Sequence, residues 1–168
     1  LSFKDVKYNG WEESLEAIRL VIKDEYKRHP ELRESSLLDE DAKNYIDRME
    51  KGEISNVELQ RSLLNLARML SLHHDSKTVI LIDEYDTPIQ QGFTRGFYKD
   101  VISFMRNFLS GGLKDNTDLA FGALTGILRV SKENLFSGLN NPLVNTVLDE
   151  KYSEYFGFTE NEVREMAE

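Results

Sequence analysis

The 168-residue sequence contains no cysteine, only three prolines and a single tryptophan. Without thiols there is no disulfide framework and no thiolate metal site, and nothing argues for an oxidising compartment; a cytoplasmic protein is the expectation. Long apolar runs are also missing. The longest extend over about four or five residues, against the roughly 20 that a membrane-crossing helix requires, so no span is expected. The opening "LSFKDVKYNG" lacks the basic start, long apolar stretch and small-residue cleavage site of a signal peptide. It also lacks an initiator methionine, which leads to the expectation that the chain is cut from something longer. Cationic charge is scarce too: 21 Lys and Arg face 30 Asp and Glu, for a formal charge of −9. A duplex backbone is bound by clustered Lys and Arg, so this balance argues against direct nucleic-acid binding by the chain.

What is present reads as alternating helices and strands. "LSFKDVKY" alternates apolar and polar residues, a short strand with Leu1, Phe3 and Val6 on its buried side. Asn9 and Glu12 have capping-pair spacing, and Trp11, Leu15, Ile18, Ile22 and Tyr26 make the apolar stripe of a helix ended near Pro30. Asp39 opens a shorter helix with Gly52 beyond its end. Ser55 and Glu58 form a capping box, with Ile54 and Leu59 as its hydrophobic staple, for a helix continuing through Leu63, Leu66, Ala67 and Leu70.

"TVILI" is apolar at every position, the pattern of a strand covered on both faces. A helix on Val101, Phe104, Met105 and Phe108 follows, closed by Gly111-Gly112, and then "LAFGALTGIL" as a second buried strand. Thr159 and Glu162 begin a last helix. Helix followed by buried strand, twice over, predicts a parallel sheet with crossovers in one domain over residues 1–168, with a helical insert at about 30–54. In such sheets ligands bind beyond the carboxyl ends of the strands, where Asp83 and Thr125 fall.

The chemistry centres on "VILIDEYD". An apolar strand running into Asp83-Glu84 has the form of a Walker B motif, in which the first acid serves a Mg²⁺ through its water shell and the second orients or deprotonates an attacking water. The same pattern also fits a buried strand that merely ends in acids at the surface. Asp83 and Asp86 are thus the metal candidates and Glu84 the catalytic one; Asp86 could instead cap the turn into Pro88. The companion feature, a Gly-rich loop ending in Lys-Ser or Lys-Thr, is missing, since none of the ten glycines is followed by lysine. His73, His74 and Asp75 sit at a helix end, where adjacent histidines point apart; a metal site there is disfavoured. The aromatic run Phe93, Phe97, Tyr98, Phe104 and Phe108 has helical spacing and reads as core.

"TVILIDEYDTPI" together with "GALTGILRVSKENLFSGLNNPLVNTVLDEKYSEYFGFTENEV" resembles the AAA-ATPase-like family of bacterial proteins, P-loop ATPase domains often fused to a restriction-endonuclease-like nuclease domain. The opening "LSFKDVKYNGWEESLEAI" is similar to that family's strand after the P-loop helix. The resemblance implies a three-layer P-loop NTPase-like α/β fold, incomplete at its N-terminus, with the phosphate-binding loop upstream. It further implies ATP and Mg²⁺ as ligands of the intact parent and a nuclease domain that such parents often carry. Separately, a missing N-terminal strand would leave an exposed sheet edge, through which self-association is expected. Asp83 and Glu84 match the family's acids, and Thr125 lies on the strand that carries the sensor position, though it could equally be a satisfied strand-end hydroxyl. Arg129, a few residues beyond, is the candidate for gripping the terminal phosphate, because a guanidinium holds two phosphate oxygens at once; it could instead be a surface residue paired with an acid. Ser131 and Asn134 read as a helix cap. The isolated chain is expected to be inactive. Two alternatives stand beside this: a non-enzymatic regulatory or interaction module on an ATPase scaffold, and a metal-dependent nuclease using Asp83, Glu84 and Asp86, the latter disfavoured by the lack of a lysine between the acids.

Overall fold

The computed structural model describes residues 1–127, 142–146, 148–155 and 157–167. Arg129, Ser131 and Asn134 therefore lie outside the described residues.

Helix α1 (Trp11–Lys27) buries Leu15, Ile18, Ile22 and Tyr26, the stripe its spacing predicts. Its N-cap is Gly10 rather than Asn9 and makes no side-chain cap bond; the Ser14 hydroxyl donates back to the Gly10 carbonyl at 2.8 Å. The stretch expected as a helical insert forms a short helix α2 (Glu31–Glu34) and α3 (Glu40–Lys51). Asp39 caps α3 by accepting the Ala42 N–H, and Gly52 closes it at φ 79°, a left-handed conformation that suits glycine. The capping box at Ser55 and Glu58 forms as its spacing predicts, but the helix it starts is broken at Arg61 into α4 (Asn56–Gln60) and α5 (Ser62–His74).

Strand β1 (Thr78–Ile82) leads into α6 (Thr87–Arg95), α7 (Tyr98–Leu113) and β2 (Leu119–Leu124). Helix α6 was not anticipated, although Pro88 in its first turn is an ordinary helix-start signal. Gly111-Gly112 lies inside α7 rather than closing it; Gly112 is there because Leu63 of α5 packs where a Cβ would stand. A 3₁₀ turn over Glu150–Tyr155 and α8 (Glu160–Ala167) follow, α8 with the expected Thr159/Glu162 cap.

The two strands pair in parallel, Val79 opposite Phe121 through Ile82 opposite Leu124. On the other side of β1 the chain start runs alongside as a single parallel bridge, Ser2 to Asp83. Three backbone bonds hold it: Asp83 N–H to the Leu1 carbonyl at 2.9 Å, Phe3 N–H to the Asp83 carbonyl at 3.0 Å, and the Leu1 amino group to the Leu81 carbonyl at 2.9 Å. β1 is thus central. The fold is α/β with a small parallel sheet, and α1, α5 and α7 pack around a shared core that includes Phe3, Ile18, Ile22, Leu66, Ile80, Ile82, Phe104 and Phe108.

The cover expected on both faces of the strands is corrected, and β2 has no fully buried residue. "TVILI" is covered on one face, not two: Ile80 and Ile82 are buried, whereas Val79 and Leu81 are 56% and 60% exposed and Phe121 of β2 is 61% exposed. Among the described residues, the opposite face of the sheet carries no helical layer. No helix among the described residues is long and apolar enough to cross a membrane.

Candidate functional site

At the carboxyl end of β1 the chain turns sharply. Glu84 adopts a left-handed backbone, φ 51°, which is unfavourable for a residue with a Cβ and bends the chain out of the strand within one step. The bend leaves Asp83 exposed at the strand tip and folds Glu84 back over the start of α6. There the Thr87 hydroxyl donates to a Glu84 carboxylate oxygen at 3.0 Å and the Thr87 N–H to the Glu84 carbonyl at 3.1 Å. A carboxylate at a helix N-terminus is favoured by the helix dipole.

β2 ends level with it. Ile82 pairs with Leu124, so the next residues, Asp83 and Thr125, emerge side by side, and the Thr125 hydroxyl donates to Asp83 Oδ1. From the other flank the Ser2 hydroxyl donates to Asp83 Oδ2 at 3.3 Å. The Thr125 hydrogen bond is the main reason the Asp83 carboxyl is held below its ordinary pKa; Ser2, the Glu84 N–H and the positive charge of Lys4 add to it, against a smaller desolvation effect. Asp83 has hydroxyls on either side and its edge open to solvent.

Asp86 is placed differently. It is 1% exposed and its Oδ2 accepts the Gln90 side-chain amide at 2.9 Å and the Ile127 N–H at 3.0 Å. Of the residues singled out from sequence, Asp83 and Thr125 meet directly, Glu84 stands next to them but bonds Thr87, and Asp86 faces the turn after β2. Sequence reasoning missed Ser2, Thr87, Gln90 and Gly126. Thr87 carried a signal, the Thr-Pro of a helix start three residues after Glu84; Ser2 and Gly126 acquire their place only through strand pairing.

Elsewhere, His74 lies 3.8 Å from Glu31, which also pairs with His29 at 3.2 Å. Among the described residues no group of three or more His, Cys, Asp or Glu is arranged to hold a metal ion. The aromatic run divides: Phe97, Phe104 and Phe108 are core, while Phe93 is 78% exposed.

A family model described as predicted AAA-ATPase matches residues 1–136. Among curated proteins, the chain is 38% identical over 88 residues to an uncharacterised protein in the vnfD 5′ region of Azotobacter chroococcum mcd 1, a match covering 52% of this chain and 17% of that relative. The chain thus aligns with only a small part of that longer protein. No solved structure matches it.

Proposed function

Because the chain belongs to the predicted AAA-ATPase family, we propose that it contributes the Walker B strand and sensor region of an ATP-binding and hydrolysing site on a P-loop NTPase-like sheet. The observation that carries the reading is the meeting of the Thr125 hydroxyl with the Asp83 carboxylate where two parallel strands end together. Strand ends of parallel sheets are where such folds bind nucleotides.

The groups gathered at Asp83 suit Mg²⁺. They are all oxygens, the carboxylate and the hydroxyls of Thr125 and Ser2, and Mg²⁺ prefers oxygen and keeps much of its water shell instead of demanding a protein cage. When bound, the ion would neutralise phosphate charge. In this reading Asp83 would hold it, with Thr125 fixing the orientation of that carboxylate. Glu84 orients the attacking water and accepts its proton, after exchanging its bond to Thr87 for one to the water. Arg129 grips the terminal phosphate, an assignment carried by its position in the sequence. Cradling the phosphates needs amides and a lysine that no Gly-Lys pair in these 168 residues supplies; in this reading an upstream part of a parent polypeptide supplies that loop, and the chain without it does not turn over ATP.

The test is Mg²⁺-dependent ATP binding and turnover by this chain and by the longer polypeptide that contains it. Turnover by the longer form alone, lost in Glu84→Gln with nucleotide binding retained, is the expected result. A longer form that neither binds nor hydrolyses ATP refutes the reading and makes the regulatory or interaction module the better one.

A further inference from the structure

Asp86 is the N-cap residue of α6, yet its side chain makes no cap bond to that helix. Asp is common at N-caps because its carboxylate accepts a backbone N–H two or three residues on. Here the carboxylate turns away from that task and reaches Ile127, 41 residues distant in sequence, with Gln90 one turn along α6 bracing the same oxygen from behind.

The contact is one tooth of a short zipper. Thr125 N–H donates to the Ile82 carbonyl at 2.9 Å and Tyr85 N–H donates to the Thr125 carbonyl at 3.1 Å. Beyond Thr125 the ladder has no further strand residue to pair with, and the next donor in line, Ile127 N–H, is taken by Asp86. Between them Gly126 is closely confined: a Cβ there would stand 2.6 Å from Asp86 Oδ1 and 2.9 Å from Tyr85 Cε1. Real Cβ atoms do not approach so closely, so the turn fits the Asp86 carboxylate only with glycine in the middle.

We infer that Asp86 is a positioning residue, a latch that pins the Thr125–Ile127 turn to the Asp83–Glu84 corner and so aims the Thr125 hydroxyl at Asp83. The inference rests on the nucleotide-site reading above for its catalytic consequence, though not for its geometry. It gives Asp86 a part distinct from the metal role considered from sequence: Oδ2 is engaged by two protein donors, and Oδ1 lies against Gly126.

The experiment uses the longer polypeptide that contains this chain, with Asp86→Ala, the shape-conserving Asp86→Asn and Gly126→Ala. Asp86→Asn keeps an oxygen for the Ile127 N–H, whereas Asp86→Ala removes it. Two readouts are taken: amide exchange at Ile127, and steady-state ATP turnover across a Mg²⁺ titration. Loss of a hydrogen bond to a charged acceptor should speed Ile127 exchange by about tenfold or more in Asp86→Ala and Gly126→Ala, with Asp86→Asn near wild type. A misaimed hydroxyl should lower kcat by roughly ten- to a hundredfold in the first two, with the Mg²⁺ requirement unchanged and Asp86→Asn restoring most of the rate. Unchanged Ile127 exchange in folded Asp86→Ala overturns the latch. So does a raised Mg²⁺ requirement shared by Asp86→Ala and Asp86→Asn, which would make Asp86 a metal ligand. Should Asp86→Ala fail to fold, Gly126→Ala decides by the same exchange measurement. An exchange result as expected in a polypeptide that shows no ATPase activity supports the latch and refutes the nucleotide reading, so the two fail separately.

Discussion

Replacing Phe108 by alanine tests how the core presents the site. Phe108 is fully buried; its ring lies edge-on to Phe3, centroids 6.2 Å apart, and stacked with Phe104 at 6.0 Å. Deleting a buried phenylalanine ring costs about 3–5 kcal/mol, and the loss of two aromatic partners puts this position in the upper part of that range. For a chain of this size that corresponds to a fall in Tm of roughly 10 °C or more. The assay is urea unfolding, with the midpoint lowered and the slope unchanged. Phe93→Ala, removing an exposed ring, should stay within about 0.5 kcal/mol of wild type and serves as control. The consequence reaches the site because Phe3 follows Ser2 and donates its own N–H to the Asp83 carbonyl. A loosened Phe3 should therefore speed exchange of the Phe3 and Asp83 amides more than the global loss of stability requires. A cost below about 1 kcal/mol would show that the core refills the space, and would refute the idea that this ring anchors the chain start beside β1.

Two further outcomes follow from the helices. Glu58 is held down to a pKa of about 2, first by its hydrogen bond to Arg48 and then by the Ser55 N–H and hydroxyl. A depressed carboxylate stabilises the fold fully above its ordinary pKa and loses that contribution as pH falls through its folded value, so the Glu58 share disappears between about pH 5 and pH 2. Glu58→Gln keeps a side-chain acceptor in the capping box; it should cost less than about 1 kcal/mol at pH 7 and flatten the acid limb of a stability-versus-pH curve, and an unchanged limb would contradict the assignment. Alanine at the paired glycines of α7 should act in opposite directions. At Gly111 a Cβ has 3.8 Å to its nearest neighbour, and Gly→Ala in a helix gains up to about 1 kcal/mol; at Gly112 it would sit 2.5 Å from Leu63, an overpacking that costs about 1–3 kcal/mol. Denaturant midpoints of the two single variants decide the matter.

Local signals were the readable part of the fold. The Ser55/Glu58 and Thr159/Glu162 boxes, the Asp39 cap and Gly52 are set by a few adjacent residues, and all appear where their spacing puts them. Gly111-Gly112 misled because the same dipeptide that ends helices also permits close helix packing, and only the approach of Leu63 distinguishes the two. Alternation in "TVILI" could not reveal one-sided cover, since every residue is apolar whichever face it takes. Asp83 and Thr125 were legible as strand-end residues, and parallel pairing brings them together. The contacts of Ser2 and Asp86 were not, because they depend on register between segments 81 and 41 residues apart.

The sheet face that carries no helical layer among the described residues gives the terminal charges of β1 a second physical role. "TVILI" is a β-prone, uncharged segment of the kind that recruits its like in unfolded or partly folded chains, and such segments are tempered by flanking gatekeeper charges. Lys77 stands at one end and Asp83 with Glu84 at the other. With Val79, Leu81 and Phe121 left at the surface, those charges bear on colloidal behaviour as well as on the proposed chemistry. Neutralising Asp83 or Glu84 removes a catalytic candidate and a gatekeeper in one step, so such variants should precipitate at lower concentration than wild type even where their folded cores are identical.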